Sequence, residues 1–434
     1  MEATIPVPSP PLPDAFLDFL NENGLDPSIY ASTTSHTTPR YIRVKPGDGE
    51  AHVPEIEAEI NCKLERVDWL PGFFSIPPQI QIASTNAYRE GKIYGMDAAS
   101  GAAVLALDVS PGDHVLDLCA APGAKLCMLS DLLGSSGSLT GVDVARHRLA
   151  SCRTILQKYA LGDRCRLFVA DGTSFSLLPL RAYESEKKCL NSTGTLLFEE
   201  TMDTFKEWLP KRSWKERKRA SKERKGIVSQ IVQGPQEPEL IFYGQHSGVV
   251  GLSKSELFRA AWSNSSDTGY DKVLVDAECT HDGSIRHIQK FEHWGWKTLQ
   301  RRVLDAERTD TLAHLQATIS SLNTCWIRFL LQLCFYSLTV AQNENVVEQF
   351  LSGNPSAELQ DIDAAKNWPC KSGQAVMTPI TGFILLSYVI ITIVLSDRVA
   401  STVNCLFHHI ANGEQKSFNG GNSTNCLAHR QSKK

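Results

Sequence analysis

Four segments of the chain each pass from a short apolar run into small or polar residues. They occupy residues 115–125, 138–143, 165–172 and 272–279. Short apolar runs bounded by turn residues are typical of buried strands, and a helical pattern follows the first run directly. Strand, tight turn and helix in this order predict an α/β fold with a Rossmann-like doubly wound sheet.

The first turn is built from small residues that leave its backbone open. A ligand can therefore approach the backbone and the N-terminus of the following helix. The turn lacks the G-x-G-x-x-G pattern, so an adenosyl cofactor without a pyrophosphate suits it better than a dinucleotide. The residues predicted to line this site are Cys119, Ala120, Ala121, Pro122, Gly123, Ala124 and Lys125.

Acidic residues stand at the ends of the other three predicted strands. Asp143 lies about 20 residues beyond the glycine turn, where such folds place the acid that binds ribose hydroxyls. Asp171 suits an adenine amino group, and Asp276 ends the fourth strand three residues before Cys279. A single Asp at such a position is more often a helix cap or turn residue. Together, at the carboxyl edge of a parallel sheet, they predict a cofactor site.

The chain resembles the Nop/Sun family of RNA cytosine-5 methyltransferases, which use S-adenosylmethionine. The resemblance rests on residues 117–125, 276–280 and 337–344, with support from residues 91–100, and extends from about residue 42 to residue 361. It implies a methyltransferase sheet with a small N-terminal α+β lobe, S-adenosylmethionine as cofactor and RNA, either tRNA or rRNA, as partner. It also implies that Arg148 and Asp276 belong to the cofactor site.

The chemistry that the resemblance implies requires a thiol and an acid. A thiolate that adds to C6 of cytosine makes C5 nucleophilic, and a carboxyl group near N3 stabilises the developing charge. Asp276 is the candidate for the carboxyl group, and Cys279 belongs to the motif whose thiol assists product release. Lys125 is a candidate for positioning substrate or easing thiolate formation. The simpler alternatives are an inert buried cysteine and a solvent-facing lysine.

The attacking cysteine of the family lies in a Thr-Cys-Ser triplet, and this chain departs from it. Alignment on residues 337–339 places Tyr336 at the cysteine position and Phe335 at the threonine. Cys334 is two residues upstream, on the same strand face but about 6–7 Å away. One hypothesis is therefore an RNA cytosine-5 methyltransferase, and the alternative is a catalytically silent member that binds cofactor and RNA.

Three regions are predicted along the chain. Residues 1–90 form a leader and the small lobe, which is either RNA-contacting or a packing subdomain. Residues 91–370 form the methyltransferase domain, with an insertion at about 180–251 in which nine of the fifteen residues 211–225 are basic. That basic run is typical of an RNA-tracking segment, a nuclear import signal or a solvated loop or helix.

The last region, residues 371–434, shows no family resemblance. It contains an uncharged apolar segment at 380–395, which is short of the roughly 20 residues that span a bilayer. A buried strand pair or core segment is the favoured interpretation, and a membrane partner is not expected. Together with Tyr336, this region points to an alternative or misassembled version of the gene product.

Composition narrows the functional classes further. The net charge of −4 gives no global attraction to nucleic acid, so RNA affinity must come from local patches. The twelve cysteines form no C-x-x-C pair, which argues against zinc and against a disulfide scaffold, so no metal is expected. With no signal or transit peptide evident, an intracellular location in the nucleus or cytoplasm is expected.

Overall fold

The computed structural model of the chain describes residues 12–23, 27–30, 39–47, 51–180, 237–259, 269–284, 287–288, 290–291, 295–322, 327–335, 337, 339–368, 370–372, 389–395 and 408–410. Two sheets organise these residues, one small and antiparallel, the other large and mostly parallel at its centre.

The small sheet forms an N-terminal α+β lobe that extends past the predicted boundary at residue 90, because its last strand is Ile93–Gly95. Its strands are β1 (Arg40–Val44), β2 (Glu65–Arg66), β3 (Phe73–Ile76) and β4 (Ile93–Gly95), in the order β2-β3-β1-β4. Two helices, α2 (Val53–Ile60) and α3 (Asn86–Arg89), accompany it. The lobe has its own core because apolar side chains such as Ile42, Ile56, Phe74 and Ile93 pack together.

The large sheet carries the four predicted strands side by side. They are β5 (His114–Asp117), β6 (Ser138–Asp143), β7 (Cys165–Val169) and β9 (Tyr270–Val275), and β10 (Ile327–Phe335) joins β9. These five strands run parallel in the order β10-β9-β5-β6-β7. The order reverses direction at β5, which is the topological switch point of a doubly wound fold. The predicted fold class is confirmed.

Helices cover both faces of this sheet, as parallel strands require. On one face α4 (Ala98–Ala106), α5 (Ala124–Leu133) and α6 (Arg146–Lys158) enclose one hydrophobic core. On the other face α7 (Lys254–Arg259), α9 (Ala306–Leu322) and α10 (Glu344–Gly353) enclose a second. A short helix, α8 (Trp296–Leu299), continues into a π-helical turn over Gln300–Leu304 and precedes α9.

The predicted insertion and the predicted tail both contribute strands to the large sheet. β8 (Glu239–Tyr243) lies within the predicted insertion and pairs antiparallel with β7 at one edge. The basic run at 211–225 lies outside the described residues. Beyond β10 the sheet continues with β11 (Ala357–Gln360), β12 (Cys370–Ser372), β13 (Val389–Leu395) and β14 (His408–Ile410).

The apolar segment at 380–395 is described from residue 389 onward, where it forms β13. This strand pairs antiparallel with β10 over six residues, from Leu330 to Phe335. In the described part of the chain no helix is both long enough and apolar enough to cross a membrane.

The N-terminal leader packs against the large domain as well as preceding the small lobe. Helix α1 (Asp14–Glu22) and Tyr30 form a hydrophobic cluster with Ile288, Phe291, Leu299 and Val303. The hydroxyl of Tyr30 also donates to the backbone oxygen of Asp282 at 2.5 Å. The residues 1–90 that were predicted as one unit therefore contact the domain at two places, through this cluster and through the lobe.

Candidate active site

The strand register brings the predicted polar residues to one edge of the sheet. Asp117 pairs with Gly141 on β6 and with Leu274 on β9, and Asp143 pairs with Val169 on β7. The four strands therefore end at about the same level. Because β5 is the switch point, the segments that follow these strands surround a common crevice.

The turn between β5 and α5 depends on Gly123. This residue has φ +110° and precedes the first residue of α5, and a Cβ there would meet the Cα of Cys152 at 3.0 Å. A side chain would therefore clash with α6 and strain the backbone. The peptide bond before Pro122 is cis, and the backbone N–H of Ala120 donates to Val142 on β6. The small residues of the turn are held directly against the neighbouring strand.

Lys125 and Asp276 form an ion pair across the crevice. Lys125 Nζ donates to Asp276 Oδ2 at 2.5 Å, and the two side chains are 13% and 23% exposed. Burial by itself lowers the pKa of Lys125, but the neighbouring Asp276, Cys334 and Asp117 raise it overall. The lysine is therefore a fixed cation. The structure joins two predicted site residues that are 151 positions apart.

Asp117 is a site residue that the sequence reading did not select. Burial raises its pKa to about 7, and Asp276 and Asp143 add to the effect while Lys125 opposes it. Its Oδ1 accepts a hydrogen bond from the backbone of Cys119 at 3.3 Å, and its buried Oδ2 has no hydrogen-bond partner among the described residues. A buried carboxyl oxygen without a partner is a ready acceptor for a ligand group.

Asp143 and Arg148 both bind the small-residue turn. Asp143 accepts from the backbone N–H groups of Ala121 at 3.2 Å and Ala145 at 2.8 Å. Arg148 donates to the oxygen of Ala121 at 2.8 Å and lies 3.9 Å from the Asp143 carboxylate. The two residues therefore fix the turn, and the remaining acceptor positions of Asp143 face the same edge of the sheet.

Asp171 occupies a more exposed position at the end of β7. It accepts hydrogen bonds from the backbone N–H and the hydroxyl of Thr173, at 2.9 and 2.7 Å. This is the turn-residue geometry that was the simpler alternative for a lone Asp. Cys119, beside Asp117, is half-buried, and burial together with Asp117, Asp276 and Asp143 raises the pKa of its thiol. The thiol of Cys119 therefore stays protonated.

The sequence around this edge of the sheet is similar to that of known methyltransferases. A family described as 16S rRNA methyltransferase RsmB/F matches residues 104–187, which include the glycine turn, Asp143 and Asp171. A 28S rRNA (cytosine-C(5))-methyltransferase from Mus musculus is 34% identical over 89 residues, which cover 20% of this chain and 19% of that relative. The 5-cytosine rRNA methyltransferase NSUN4 from Xenopus laevis is 34% identical over 148 residues, 32% of this chain and 36% of the relative. Over these residues the chain is similar to RNA cytosine-5 methyltransferases of the Nop/Sun family.

The likeness in fold extends further than the likeness in sequence. The solved structure of NSun6 from Pyrococcus horikoshii with SFG superimposes with a TM-score of 0.54 at 11% identity, over 88% of this chain and 98% of that one. In contrast, the chain spans about a fifth and about a third of the two curated relatives. The sequence similarity to the Nop/Sun family is therefore confined to the part of the chain that holds the central motifs. The structural match extends over most of the chain and supports the fold.

The second Nop/Sun motif, residues 276–280, is held by long-range side-chain contacts. Glu278, where the family usually has proline, accepts from Arg308 Nη2 at 2.6 Å, and its backbone oxygen accepts from Gln316 Nε2 at 3.0 Å. Thr280 exchanges two hydrogen bonds with the Gln342 side chain, at 3.1 and 3.0 Å. Cys279 lies within this loop and is 3% exposed. The loop is therefore fixed by α9 and by the third motif.

The third Nop/Sun motif supplies the residues that anchor this loop. Asn343 donates to the backbone oxygens of Ser337 at 3.0 Å and Thr339 at 2.8 Å, and Gln342 is fully buried. The sequence indicates residues 337–344 as a motif but predicts no role for Gln342 or Asn343. The two neighbouring amide side chains were the sequence feature that could have indicated this role, because amides that become buried need hydrogen-bond partners.

The nucleophile position, Tyr336, lies outside the described residues. The described part of β10 ends at Phe335, and Cys334 is fully buried on the sheet face that carries α5 and Lys125. β10 pairs with β9 on one side, where Leu333 is opposite Val275, and with β13 on the other. The register of β10 is therefore set from both edges, and a slip of two residues toward Cys334 would break both pairings.

Proposed function

We propose that this chain transfers a methyl group from S-adenosylmethionine to C5 of a cytosine in RNA, with rRNA as the favoured substrate. The observation that carries the proposal is the Lys125–Asp276 ion pair at the switch point of the sheet, between the glycine turn and the Cys279 loop. This cation and carboxylate support the proposal because methyl transfer to cytosine needs charge stabilisation beside the base. Both relatives described above are rRNA methyltransferases, which favours rRNA over tRNA.

The residues at the edge of the sheet fit the adenosyl cofactor. The turn at 119–125 presents backbone without bulky side chains, and Asp117 Oδ2 is a buried acceptor that has no hydrogen-bond partner in the described part of the chain. Asp143 would accept ribose hydroxyls, Asp171 would face the adenine, and Val144, 74% exposed beside Asp143, offers an apolar surface to a purine. When bound, the cofactor supplies an electrophilic methyl group.

The chain's own residues then act on the base. The cytosine must leave its stack to reach the crevice. Negative charge that develops on the pyrimidine ring near N3 would be stabilised by the Lys125 ammonium group, which Asp276 already holds in place, so little reorganisation is needed. Cys279, in the loop that follows β9, is buried beside this ion pair's strand. An intracellular location, in the nucleus or cytoplasm, suits such an RNA substrate and the free thiols of the described residues.

The test is a methylation map. Bisulfite sequencing of rRNA and tRNA from cells that lack the gene should lose specific methylcytosines in rRNA, and these should return when this chain is expressed. If methylcytosines were lost only from tRNA, the substrate would be tRNA and not rRNA. An unchanged map would refute the proposal.

A catalytically silent member is the second candidate, because Tyr336 replaces the expected thiol. It predicts that calorimetry detects S-adenosylmethionine binding while no RNA is methylated. In that case the methylcytosines would be lost with the gene but would not return with this chain.

A further inference from the structure

Cys279, in the second motif, and His281, directly after it, form a close pair. Cys279 Sγ lies 3.6 Å from His281 Nδ1, and the same Nδ1 lies 2.8 Å from the backbone oxygen of Cys279. A carbonyl oxygen can only accept a hydrogen bond, so Nδ1 must carry the hydrogen. The single Nδ1 hydrogen is then shared between the carbonyl oxygen and the more distant sulfur, so the imidazole presents an N–H donor, and not a lone pair, to Sγ. A donor at this place favours the thiolate over the thiol.

The backbone at His281 is held in a conformation that keeps the pair together. His281 has φ +59°, in the left-handed region that residues with a Cβ seldom adopt. The turn is secured from both sides, because the Thr280 hydroxyl donates to the fully buried Asp282 carboxylate and Tyr30 donates to the Asp282 backbone oxygen. A left-handed residue that persists under such constraints is often part of a functional site.

The surroundings of the pair include a second histidine, two more distant cations and one carboxylate. The rings of His281 and His287 lie 4.8 Å apart. Burial lowers the pKa of His287 to about 4, with further contributions from His281, Lys290 and Arg302. His287 is therefore neutral at physiological pH. Asp282 is the acid beside the pair, and its Oδ1 accepts from Thr280.

We propose that His281 is a positioning residue that holds Cys279 ready to act as a thiolate, a role that rests on the proposed function. After methyl transfer, C5 of the base carries both the new methyl group and its original proton. A Cys279 thiolate takes that proton as the C5–H electron pair forms the C5=C6 double bond and the bond from C6 to the attacking group breaks. A protonated thiol at Cys279 could not accept the proton.

The experiment compares two substitutions that both tolerate the left-handed backbone. His281→Gly removes the donor, whereas His281→Asn keeps an N–H donor at the δ position and accepts positive φ. The control is His246→Gln, because His246 is an exposed histidine that pairs with Asp163 on another loop. The full-length protein is labelled with iodoacetamide from about pH 5.5 to pH 9.5, and mass spectrometry gives the rate at each cysteine.

In the wild-type chain the labelling midpoint of Cys279 should lie below about 8.5, the value of a free thiol. His281→Gly should raise that midpoint by about one pH unit, so that labelling near pH 7 slows about tenfold. His281→Asn and His246→Gln should stay close to wild type. NMR of the wild-type imidazole should show the Nδ1–H tautomer, which checks the geometry without any substitution.

Equal midpoints in wild type and His281→Gly would overturn the proposal, as would the Nε2–H tautomer. Failure of Cys279 to label in the folded chain at any pH, while it labels after unfolding, would overturn it too. None of these measurements needs RNA or cofactor. A chain that lacks methyltransferase activity would still show the shifted thiol, so the two proposals fail separately.

Discussion

The β6 side of the crevice, residues 117–125 and 143–148, and its β9 side, residues 276–284 with Gln316 and Gln342, are fixed by different kinds of contact. On the β6 side Asp143 and Arg148 bind backbone groups of the turn next to them. On the β9 side the loop is held by side chains from α9, from the third motif and from Tyr30. The β6 side therefore depends on a local turn, and the β9 side depends on the whole domain.

This difference predicts where substitutions act. A change at Asp143 or Arg148 should alter cofactor binding with limited effect elsewhere, because both residues contact only the adjacent turn and their own loop among the hydrogen bonds described above. A change on the β9 side should affect the chemistry and the fold together, because Gln316 and Gln342 are fully buried and shared between elements.

The largest expected effect concerns the end of β10. Tyrosine has a pKa of about 10, so its phenol is almost wholly protonated at neutral pH and cannot replace a thiolate. If the chain is the catalytically silent member, it should therefore form little or no covalent adduct with RNA that carries 5-fluorocytosine, a trap for the thiol adduct, whereas an active chain should form one through another thiol. Tyr336→Cys combined with Phe335→Thr should form one, visible as a shifted band on a denaturing gel.

An adduct in the unmodified chain would contradict this prediction. Its loss in Cys334→Ala would then identify Cys334 as the attacking thiol, since that residue lies on the Lys125 face of the sheet. Its loss in Cys279→Ala would place the attack on the β9 side.

The next effect concerns cofactor affinity on the β6 side. Asp143→Ala should weaken S-adenosylmethionine binding by more than tenfold, because a lost charged hydrogen bond costs about 1.5–3 kcal/mol. Asp143 also holds the Ala121 backbone, so part of the loss comes from a looser turn. Calorimetric titration measures it, with Asp171→Ala as the more exposed comparison. Unchanged affinity in both proteins would refute the assignment of the cofactor site.

A third prediction uses the pKa of about 7 at Asp117. The unfolded chain loses this proton near pH 4 and the folded chain keeps it until about pH 7, so folding stability should fall as pH rises across that window. The slope for one proton is at most about 1.4 kcal/mol per pH unit. Asp117→Asn, which resembles the protonated acid, should remove this slope in urea unfolding. An identical pH profile in the variant would show that Asp117 is ionised throughout.

The smallest expected effect is the coupling between Lys125 and Asp276. Each single substitution, Lys125→Met or Asp276→Asn, leaves a partly buried charge without its partner, whereas the double substitution removes both. The double variant should therefore be more stable than the sum of the two losses by about 1 kcal/mol. Urea unfolding of the four proteins measures this coupling, and additivity would mean that the pair contributes nothing to stability.

The sequence predicted the β6 side better than the β9 side for a physical reason. Apolar runs that end in Asp143 or in the glycine turn combine a strand, a turn and a ligand group within a few residues. The partners of Thr280 and Glu278 are 30 or more residues away, so no local pattern points to them. Asp117 was passed over for a related reason, because its raised pKa arises from burial and from the charges of other strands.

The edges of the large sheet were also harder to predict than its centre. β8 lies within a stretch that was interpreted as an insertion. An antiparallel edge strand needs no crossover helix before it, so the sequence around β8 lacks the helical pattern that indicates the parallel strands. The apolar segment at 380–395 was open to two interpretations because hydrophobicity alone does not specify a neighbour. Its pairing with β10 and β11 gives the described part a place in the sheet.

Because β10 is paired on both edges, the folding of this protein does not depend on which residue stands at the predicted nucleophile position. Six residues of the strand pair with β13, and β9 holds the opposite edge, so a substitution at its end leaves the sheet intact. A chain without an attacking thiol would therefore fold, persist in the cell and still present the crevice to RNA. Expressed beside an active relative, it would compete for the same transcripts and lower their methylation in proportion to its abundance.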